Sequence, residues 1–303
     1  MSMGTNKKVK PFLKWAGGKT QLLDDIAATF PFSKQDKFTF IEPFVGSGAV
    51  LFWVLNHYPN VSQCVINDIN EDLITTYRTI RSDVEHLIDQ LALWQTEYHA
   101  LADAKEAKKV YYYAKRTAFN TKKEPDLTQA ALFIFLNRTC FNGLYRVNKS
   151  GGYNVPIGSY KTPMICDADN LRKVSEALQR VTILQGDFEQ TLEYAETNTC
   201  FYLDPPYKPL SVSSSFNAYA KSDFNDHEQV RLKNFCDTLS HQGYPWILSN
   251  SDVKQQEHNN LFFDDLYSDY AINRVLAKRA INSNSAKRGS IYELLITNQS
   301  AAA

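Results

Sequence analysis

Four consecutive residues, Asp204-Pro205-Pro206-Tyr207, combine a carboxylate, two carbonyl groups on a restricted backbone and an aromatic ring. They follow the apolar run at residues 200–203, which predicts a buried strand. Ligands of open α/β sheets bind at the carboxyl ends of strands. Asp204 can accept a hydrogen bond from an exocyclic amine, the Pro205 carbonyl can accept a second, and Tyr207 can stack on a planar ring. The tetrapeptide therefore predicts a site for an amine-bearing heterocycle, although Asp-Pro alone is ordinary turn chemistry.

A second segment, residues 40–50, predicts a strand, a glycine turn and a helix in that order. Gly46 and Gly48 allow a ligand to approach the backbone, and the helix offers free N–H groups. The next predicted strand ends at Asp68, about 20 residues past Gly48, where nucleotide-binding α/β folds place the carboxylate that holds ribose hydroxyls. A dinucleotide site requires a third glycine where this chain has Leu51, which argues against NAD and FAD. A cofactor with a ribose and no pyrophosphate, such as S-adenosyl-L-methionine, fits the pattern.

A third segment, residues 11–20, ends in Gly-Lys-Thr and superficially matches a phosphate-binding loop. That loop requires glycine at the position of Leu13 and a strand directly before it, so an ATPase is not expected. Instead, Trp15 suits the wall of a pocket, and Lys19 suits a cation that faces a carboxylate. A helix N-terminus with an accidental pair of glycines is the alternative.

The composition predicts a globular protein of balanced charge. The 303 residues include 33 Lys and Arg and 33 Asp and Glu, so no overall basicity indicates a nucleic-acid partner. Three stretches nevertheless carry basic residues and no acid, at residues 1–20, 138–161 and 274–288. Together they predict one positive face if the fold brings them together, whereas each alone is ordinary solvated surface.

The five cysteines are widely spaced, which fits neither a zinc site nor a disulfide framework, and no metal site is expected. The sequence has no pattern of a signal peptide or a membrane span, so a cytoplasmic setting is predicted.

The middle of the chain predicts helices followed by a hairpin. Apolar residues recur there at helical spacing, at Leu73, Tyr77, Ile80, Leu87 and Leu91. The aromatic and apolar runs at residues 111–113 and 132–136 are interpreted as helical core. Residues 143–152 then read as a glycine-containing loop, and such a loop can enter a major groove, where Arg pairs with guanine O6 and N7.

These motifs, in this order, resemble those of the Dam-type DNA adenine-N6 methyltransferases, particularly the GATC-specific methylases of restriction-modification systems. The resemblance rests on four segments: K-W-A-G-G-K from Lys14, E-P-F-V-G-S-G from Glu42, the acidic strand end at Asp68, and D-P-P-Y from Asp204. Gly-Asp-Phe at residues 186–188 and the segment 136–158 resemble the family's adenine contact and its target-reading hairpin. The resemblance runs from about residue 9 to residue 297.

The resemblance implies a Rossmann-like α/β methyltransferase fold with an inserted, mostly helical DNA-recognition domain that carries a hairpin loop. The implied catalytic domain comprises residues 9–70 and 165–297, the target-recognition domain comprises 71–164, and 298–303 form a tail. A mobile lid is predicted at residues 211–219. A loop at residues 281–289 is predicted to contact phosphates or to be a plain connection.

The implied site residues fall into three groups. The catalytic group is Asp204, Pro205, Pro206 and Tyr207. The cofactor group is Trp15, Lys19, Glu42, Pro43, Phe44, Gly46, Gly48, Asp68, Asp187, Phe188 and Asp204. The DNA group is Lys14, Arg138, Phe141, Asn142, Leu144, Arg146, Asn148 and Pro156. Within the DNA group, Arg146 is the guanine reader, with a phosphate contact as its alternative; Phe141 is an intercalating wedge, and Lys14 contacts the outer base pair.

The expected activity is transfer of the S-adenosyl-L-methionine methyl group to the N6 of an adenine flipped out of double-stranded DNA, within GATC. A monomer in the cytoplasm of a bacterial or phage-infected cell is expected, with a restriction endonuclease acting separately and no membrane partner. Two alternatives stay open: a methyltransferase of RNA or a protein amide, and a catalytically silent DNA-binding regulator.

Overall fold

A computed structural model describes residues 8–15, 19–208, 224–255, 259–278 and 290–299. For residues 277, 278, 290 and 291 it describes the backbone only. Several predicted features lie outside the described residues: the lid at 211–219, the loop at 281–289, the glycines at positions 17 and 18, and the end of the tail at 300–303.

The described residues build one seven-stranded sheet with strand order β3-β2-β1-β4-β5-β7-β6. The strands are β1 (Phe38–Glu42), β2 (Val61–Asp68), β3 (Val181–Gln185), β4 (Thr199–Leu203), β5 (Trp246–Ser251), β6 (Ala271–Lys278) and β7 (Ser290–Thr297). The first five are mutually parallel, and β7 runs antiparallel to both β5 and β6.

Apart from α1, which precedes β1, the helices lie between the strands in sequence, as expected for a parallel sheet with crossover connections. They are α1 (Leu23–Thr29), α2 (Ala49–His57), α3 (Glu71–Ser82), α4 (Val84–Ala100), α5 (Lys105–Thr121), α6 (Asp126–Thr139), α7 (Ala168–Leu178), α8 (Asp226–His241) and α9 (Phe262–Leu266). Short 3₁₀ turns occupy Lys19–Gln21, Phe141–Gly143, Phe188–Tyr194 and Val253–Gln255. No helix in the described part of the chain is long and apolar enough to cross a membrane.

The central strands are packed on both faces of the sheet, because Phe40 and Ile66 belong to one hydrophobic cluster and the adjacent residues Ile41 and Val65 belong to another. Every residue of β1, β4 and β5 is buried. The strand predicted before the Asp-Pro-Pro-Tyr segment is therefore confirmed, as is the α/β fold class.

The predicted helical insertion is confirmed as four consecutive helices, α3 to α6. The five residues whose spacing predicted it are all fully buried, at Leu73, Tyr77, Ile80, Leu87 and Leu91. Residues of these helices share one hydrophobic core with Phe12 before the sheet and Phe40 within it. The division into a catalytic and a target-recognition domain stays a prediction.

The strand order reverses direction between β1 and β4. From β1 the chain proceeds outward through β2 and β3 on one side, and from β4 through β5 on the other. The carboxyl ends of β1 and β4 consequently flank a crevice at which α/β sheets of this type bind ligands. Glu42 ends β1, and Asp204 directly follows β4.

Candidate active site

A cavity of about 780 Å³ opens at this reversal point. Its lining brings together the segments that the sequence singled out: Trp15, Lys19, Glu42, Pro43, Phe44, Gly46, Asp68, Asp187, Phe188, Asp204, Pro205, Pro206 and Tyr207. Arg146 of the predicted hairpin also lines it. A cavity of this size is in the range that holds a nucleoside-sized ligand.

Lys19 and Asp204 form a salt bridge, with 2.8 Å between the lysine Nζ and a carboxylate oxygen. The Lys19 side chain is only 3% exposed, whereas the Asp204 side chain is 22% exposed. Burial raises the pKa of Asp204 to about 6; the Lys19 charge lowers this pKa, and the Glu293 charge raises it. Asp204 is therefore an acceptor-only carboxylate at neutral pH that remains close to the range in which it takes up a proton.

Glu42 is buried at the end of β1, and its Oε2 has no hydrogen-bond partner among the described residues. Burial raises the pKa of Glu42 well above its usual range, and the nearby negative charge of Asp204 adds to this effect. A buried, unpaired carboxylate oxygen at a cavity wall is costly unless a ligand supplies the donor.

The segment after β4 is held by polar contacts from α8 and β5. The Gln229 side chain donates to the Pro206 carbonyl at 3.2 Å, and the Ser251 hydroxyl donates to the Lys208 carbonyl at 2.8 Å. Asn250 donates its amide to Gln229 and accepts from the Lys208 N–H. The backbone is thus held at Pro206 and Lys208 by two neighbouring elements.

The glycine turn closes one end of the cavity. The Asp68 carboxylate accepts from the Gly46 N–H at 3.1 Å and from the Asn70 N–H at 2.9 Å. The Tyr77 hydroxyl donates to the Gly46 carbonyl at 3.1 Å. Gly48, in contrast, does not line the cavity; it has φ +73°, and a Cβ there would lie 2.6 Å from the Tyr77 Oη. The close packing explains glycine at position 48 without a ligand.

The β3 end supplies an aromatic wall. Phe188 is buried against Phe44, with ring centroids 5.3 Å apart, and the Arg231 guanidinium lies 4.4 Å from the Phe188 ring centre. Asp187 caps the turn that follows it and accepts from Arg231 at 2.6 Å. The segment that resembles the family's adenine contact therefore presents the Asp187 carboxylate beside the Phe188 ring.

Trp15 joins the N-terminal segment to the hairpin by stacking on Tyr145, with centroids 5.9 Å apart and ring planes 19° apart. The Tyr145 hydroxyl donates to Asp72 of α3 at 3.2 Å. The next residue, Arg146, is exposed, and its Nε donates to the Asn154 side chain at 2.7 Å across the hairpin. The cavity is therefore closed on one side by the hairpin base.

The predicted DNA group is divided between surface and interior. Phe141 is 42% exposed, and Arg146, Asn148 and Pro156 are also exposed. Asn142 has φ +54°, which turns the chain sharply beside Phe141.

Other members of the DNA group have contacts within the protein. The Arg138 guanidinium donates to the Phe12 carbonyl at 2.7 Å, and burial lowers its pKa. The Asn148 carboxamide accepts from two backbone N–H groups of its own turn, and Leu144 packs on the core. The Lys14 ammonium lies 4.2 Å from the Tyr160 ring centre. The position of Arg138 favours a structural role.

Glu293 is a site residue that no sequence pattern singled out. Its carboxylate accepts from the Tyr207 hydroxyl at 2.6 Å and lies 4.0 Å from the Lys19 Nζ. The strand containing it was predicted, but one acidic residue among apolar ones is the ordinary pattern of a solvent-facing strand position. Tyr145 and Asn154 lie within the predicted hairpin at residues 136–158, but no individual role was predicted for either residue.

The comparisons with known proteins are consistent with one another. A family described as "D12 class N6 adenine-specific DNA methyltransferase" matches residues 15–281. The chain is 47% identical over 296 residues to the type II methyltransferase M.MjaIII of Methanocaldococcus jannaschii, covering 96% of this chain and 99% of that protein. It is 36% identical to the DNA adenine methylase of Haemophilus influenzae, covering 97% and 95% of the two chains. The corresponding enzyme of Escherichia coli is 32% identical, with 95% of each chain covered.

Proposed function

Because this chain belongs to the D12 class of N6 adenine-specific DNA methyltransferases, we propose that its cavity receives S-adenosyl-L-methionine and an adenine flipped out of duplex DNA. The observation that supports this proposal most directly is that two sets of predicted site residues line the same cavity. The Asp204-Pro205-Pro206-Tyr207 segment and the residues at the ends of β1, β2 and β3 face one cavity. An acceptor for an amine and a pocket for a nucleoside cofactor thus lie side by side.

The residues at the β1–β3 ends fit this cofactor. The unpaired Glu42 oxygen suits an ammonium group, Asp68 is proposed to accept from ribose hydroxyls, and Phe188 offers a ring beside the carboxylate of Asp187. When bound, S-adenosyl-L-methionine supplies a methyl group on a sulfonium sulfur, which is a good leaving group. A covalent enzyme intermediate is therefore not required.

The residues after β4 act on the adenine. Asp204 accepts a hydrogen bond from the N6 amino group and the Pro205 carbonyl accepts the other, which draws electron density toward the nitrogen and stabilises its developing positive charge. Asp204 can also accept the proton that N6 loses after transfer, since its pKa of about 6 suits a proton acceptor at neutral pH. Tyr207 has the Lys19 ammonium 4.5 Å from its ring centre, and the flipped base stacks on the opposite face.

The hairpin reads the DNA sequence. Arg146 pairs with a guanine, and the exposed Phe141 occupies the space that the flipped base leaves. GATC is proposed as the site from the likeness of residues 136–158 to the hairpins of GATC methylases. A separately acting restriction endonuclease is proposed because two similar proteins are named type II methyltransferases.

Methyl transfer from labelled S-adenosyl-L-methionine to matched duplexes tests the proposal. The duplexes contain GATC, GTTC or no adenine target, and the products are digested and separated as nucleosides. N6-methyladenine in the GATC duplex alone is the expected result. N6-methyladenine in another sequence would refute GATC, and transfer to RNA or protein instead of duplex DNA would refute the substrate.

A further inference from the structure

The direction of the Tyr207 ring is not set by regular secondary structure. Residues 204–208 belong to neither a helix nor a strand, and the contacts from Gln229, Asn250 and Ser251 fix backbone groups of this segment. Rotation about χ2 of a tyrosine is broad, so a fixed backbone leaves the ring plane free to vary. A base that stacks on this ring nevertheless requires a defined plane.

Glu293 supplies the missing constraint. Its carboxylate accepts from the Tyr207 hydroxyl at 2.6 Å, a short distance typical of a charge-assisted bond. The hydroxyl oxygen lies on the long axis of the ring, so this bond fixes the direction in which the side chain points. The Lys19 ammonium, 4.5 Å from the ring centre, then limits rotation about that axis.

The position of Glu293 is itself rigid. It lies in β7, where its backbone is paired with Ser251 of β5 on one side and Val275 of β6 on the other. Its side chain is only 12% exposed. Glu293 and the Asp204-Pro205-Pro206-Tyr207 segment are therefore held by the same part of the sheet.

We propose that Glu293 is a positioning residue for methyl transfer, which acts by holding the Tyr207 hydroxyl so that the ring faces the flipped adenine. The proposal rests on the proposed roles of Tyr207 and Asp204. The competing explanation is that Glu293 only balances the charge of Lys19, but Asp204 lies nearer to that ammonium, at 2.8 Å compared with 4.0 Å.

Two substitutions at position 293 separate these explanations. Glu293→Gln and Glu293→Ala remove the same charge, but the glutamine amide oxygen can still accept from the Tyr207 hydroxyl. Each is made in the wild-type and in the Tyr207→Phe background, and the single-turnover rate on a duplex substrate is measured. Duplexes with 2-aminopurine at the target position report stacking of the flipped base by fluorescence quenching.

With Tyr207 present, we expect Glu293→Ala to be slower than Glu293→Gln by on the order of tenfold, with weaker quenching. In the Tyr207→Phe background, which has no hydroxyl, the two substitutions should give equal rates. Equal rates with Tyr207 present, or a difference that persists in the Tyr207→Phe background, would refute the positioning role. Thermal unfolding of all variants identifies a rate difference that comes from loss of folded protein.

The same series includes Asp204→Ala as a test of the site itself. Loss of transfer with retained binding of S-adenosylhomocysteine supports the proposed site, whatever the result at position 293. Retained turnover by Asp204→Ala would refute the proposed site independently of Glu293.

Discussion

Asp204 combines two properties that oppose each other. Its buried setting penalises the charged form, while its proposed role as an acceptor requires that form. Lys19 partly offsets the penalty, and the result is a pKa of about 6. The carboxylate is thus ionised at neutral pH and remains basic enough to take a proton.

This pKa predicts an acid limb in the rate profile. As the pH falls through about 6, Asp204 becomes protonated and stops accepting, so kcat/KM should fall about tenfold per pH unit below that value. Among the described residues, the titratable groups that interact electrostatically with Asp204 are Lys19, Glu293, Glu42, Tyr202 of β4 and Tyr207. Rates measured from pH 5 to pH 8 with wild-type enzyme locate the limb.

Glu293→Gln provides the control for that assignment. Since the Glu293 charge raises the pKa of Asp204, removing it should move the acid limb to lower pH. A limb that stays in place or moves to higher pH would mean that another group titrates.

Arg146 is exposed on the hairpin, where it can contact either a base or a phosphate. Arg146→Ala should weaken binding to the cognate duplex by about 1–3 kcal/mol and relax discrimination at one base pair. The matched control is Lys149→Ala, which removes the same charge from an exposed position of the same hairpin. We expect the control to weaken cognate and non-cognate binding equally. If Arg146→Ala also weakens both equally, with a shallower salt dependence, Arg146 contacts a phosphate.

At the scale of the element, the glycine turn before α2 is set by packing as well as by ligand access. Gly48→Ala combines a positive φ of +73° with a Cβ 2.6 Å from the Tyr77 hydroxyl. Gly243 has a similar φ of +77°, and among the described residues other than its chain neighbours no atom lies within 4 Å of the position that a Cβ would take there. Comparing Gly48→Ala with Gly243→Ala therefore separates the cost of backbone strain from the cost of steric crowding.

We expect Gly243→Ala to lower the free energy of unfolding by about 1 kcal/mol and Gly48→Ala to lower it by about 2–4 kcal/mol. Urea unfolding of the two variants and the wild type measures both values. Equal losses would contradict the crowding at position 48 and would leave only the backbone cost.

Regular elements were predicted from the sequence because their signals are local. The buried strand before Asp204 is a continuous apolar run, and the insertion repeats apolar residues at helical spacing. The motif residues were predictable too, because Asp-Pro-Pro-Tyr and the glycine turn each restrict their own backbone.

The partners of those motifs were not predictable in the same way. Glu293 reaches Tyr207 only because β7 inserts between β5 and β6, a pairing that no local pattern specifies. Likewise, the sequence could not show which members of the predicted DNA group are exposed and which are buried. The contact of Arg138 with Phe12, for example, depends on how the N-terminal segment packs on α6.

At the scale of the whole molecule, the inserted helices and the sheet share one core. That cluster contains Phe12, Phe40 of β1, Phe135 of α6 and Tyr202 of β4. Asn137 of α6 further accepts from the Lys14 N–H at 2.8 Å and donates to the Lys14 carbonyl at 2.7 Å.

The shared core predicts that the protein unfolds in one cooperative transition. Scanning calorimetry should give a single peak with equal calorimetric and van't Hoff enthalpies, because opening either region exposes apolar surface of the other. Two resolved peaks would contradict this and would support independently stable domains.

The antiparallel insertion of β7 also sets an order of events during synthesis. Lys19 and Asp204 leave the ribosome well before Glu293, which follows Tyr207 by 86 positions. At typical translation rates those positions take roughly 4–17 s to add. During that interval the nascent chain carries every recognisable motif but lacks the strand that holds Tyr207. If Glu293 positions Tyr207 as proposed, a nascent chain from which β7 has not yet emerged would be unable to modify DNA efficiently, and competence would arise only when β7 pairs with β5 and β6.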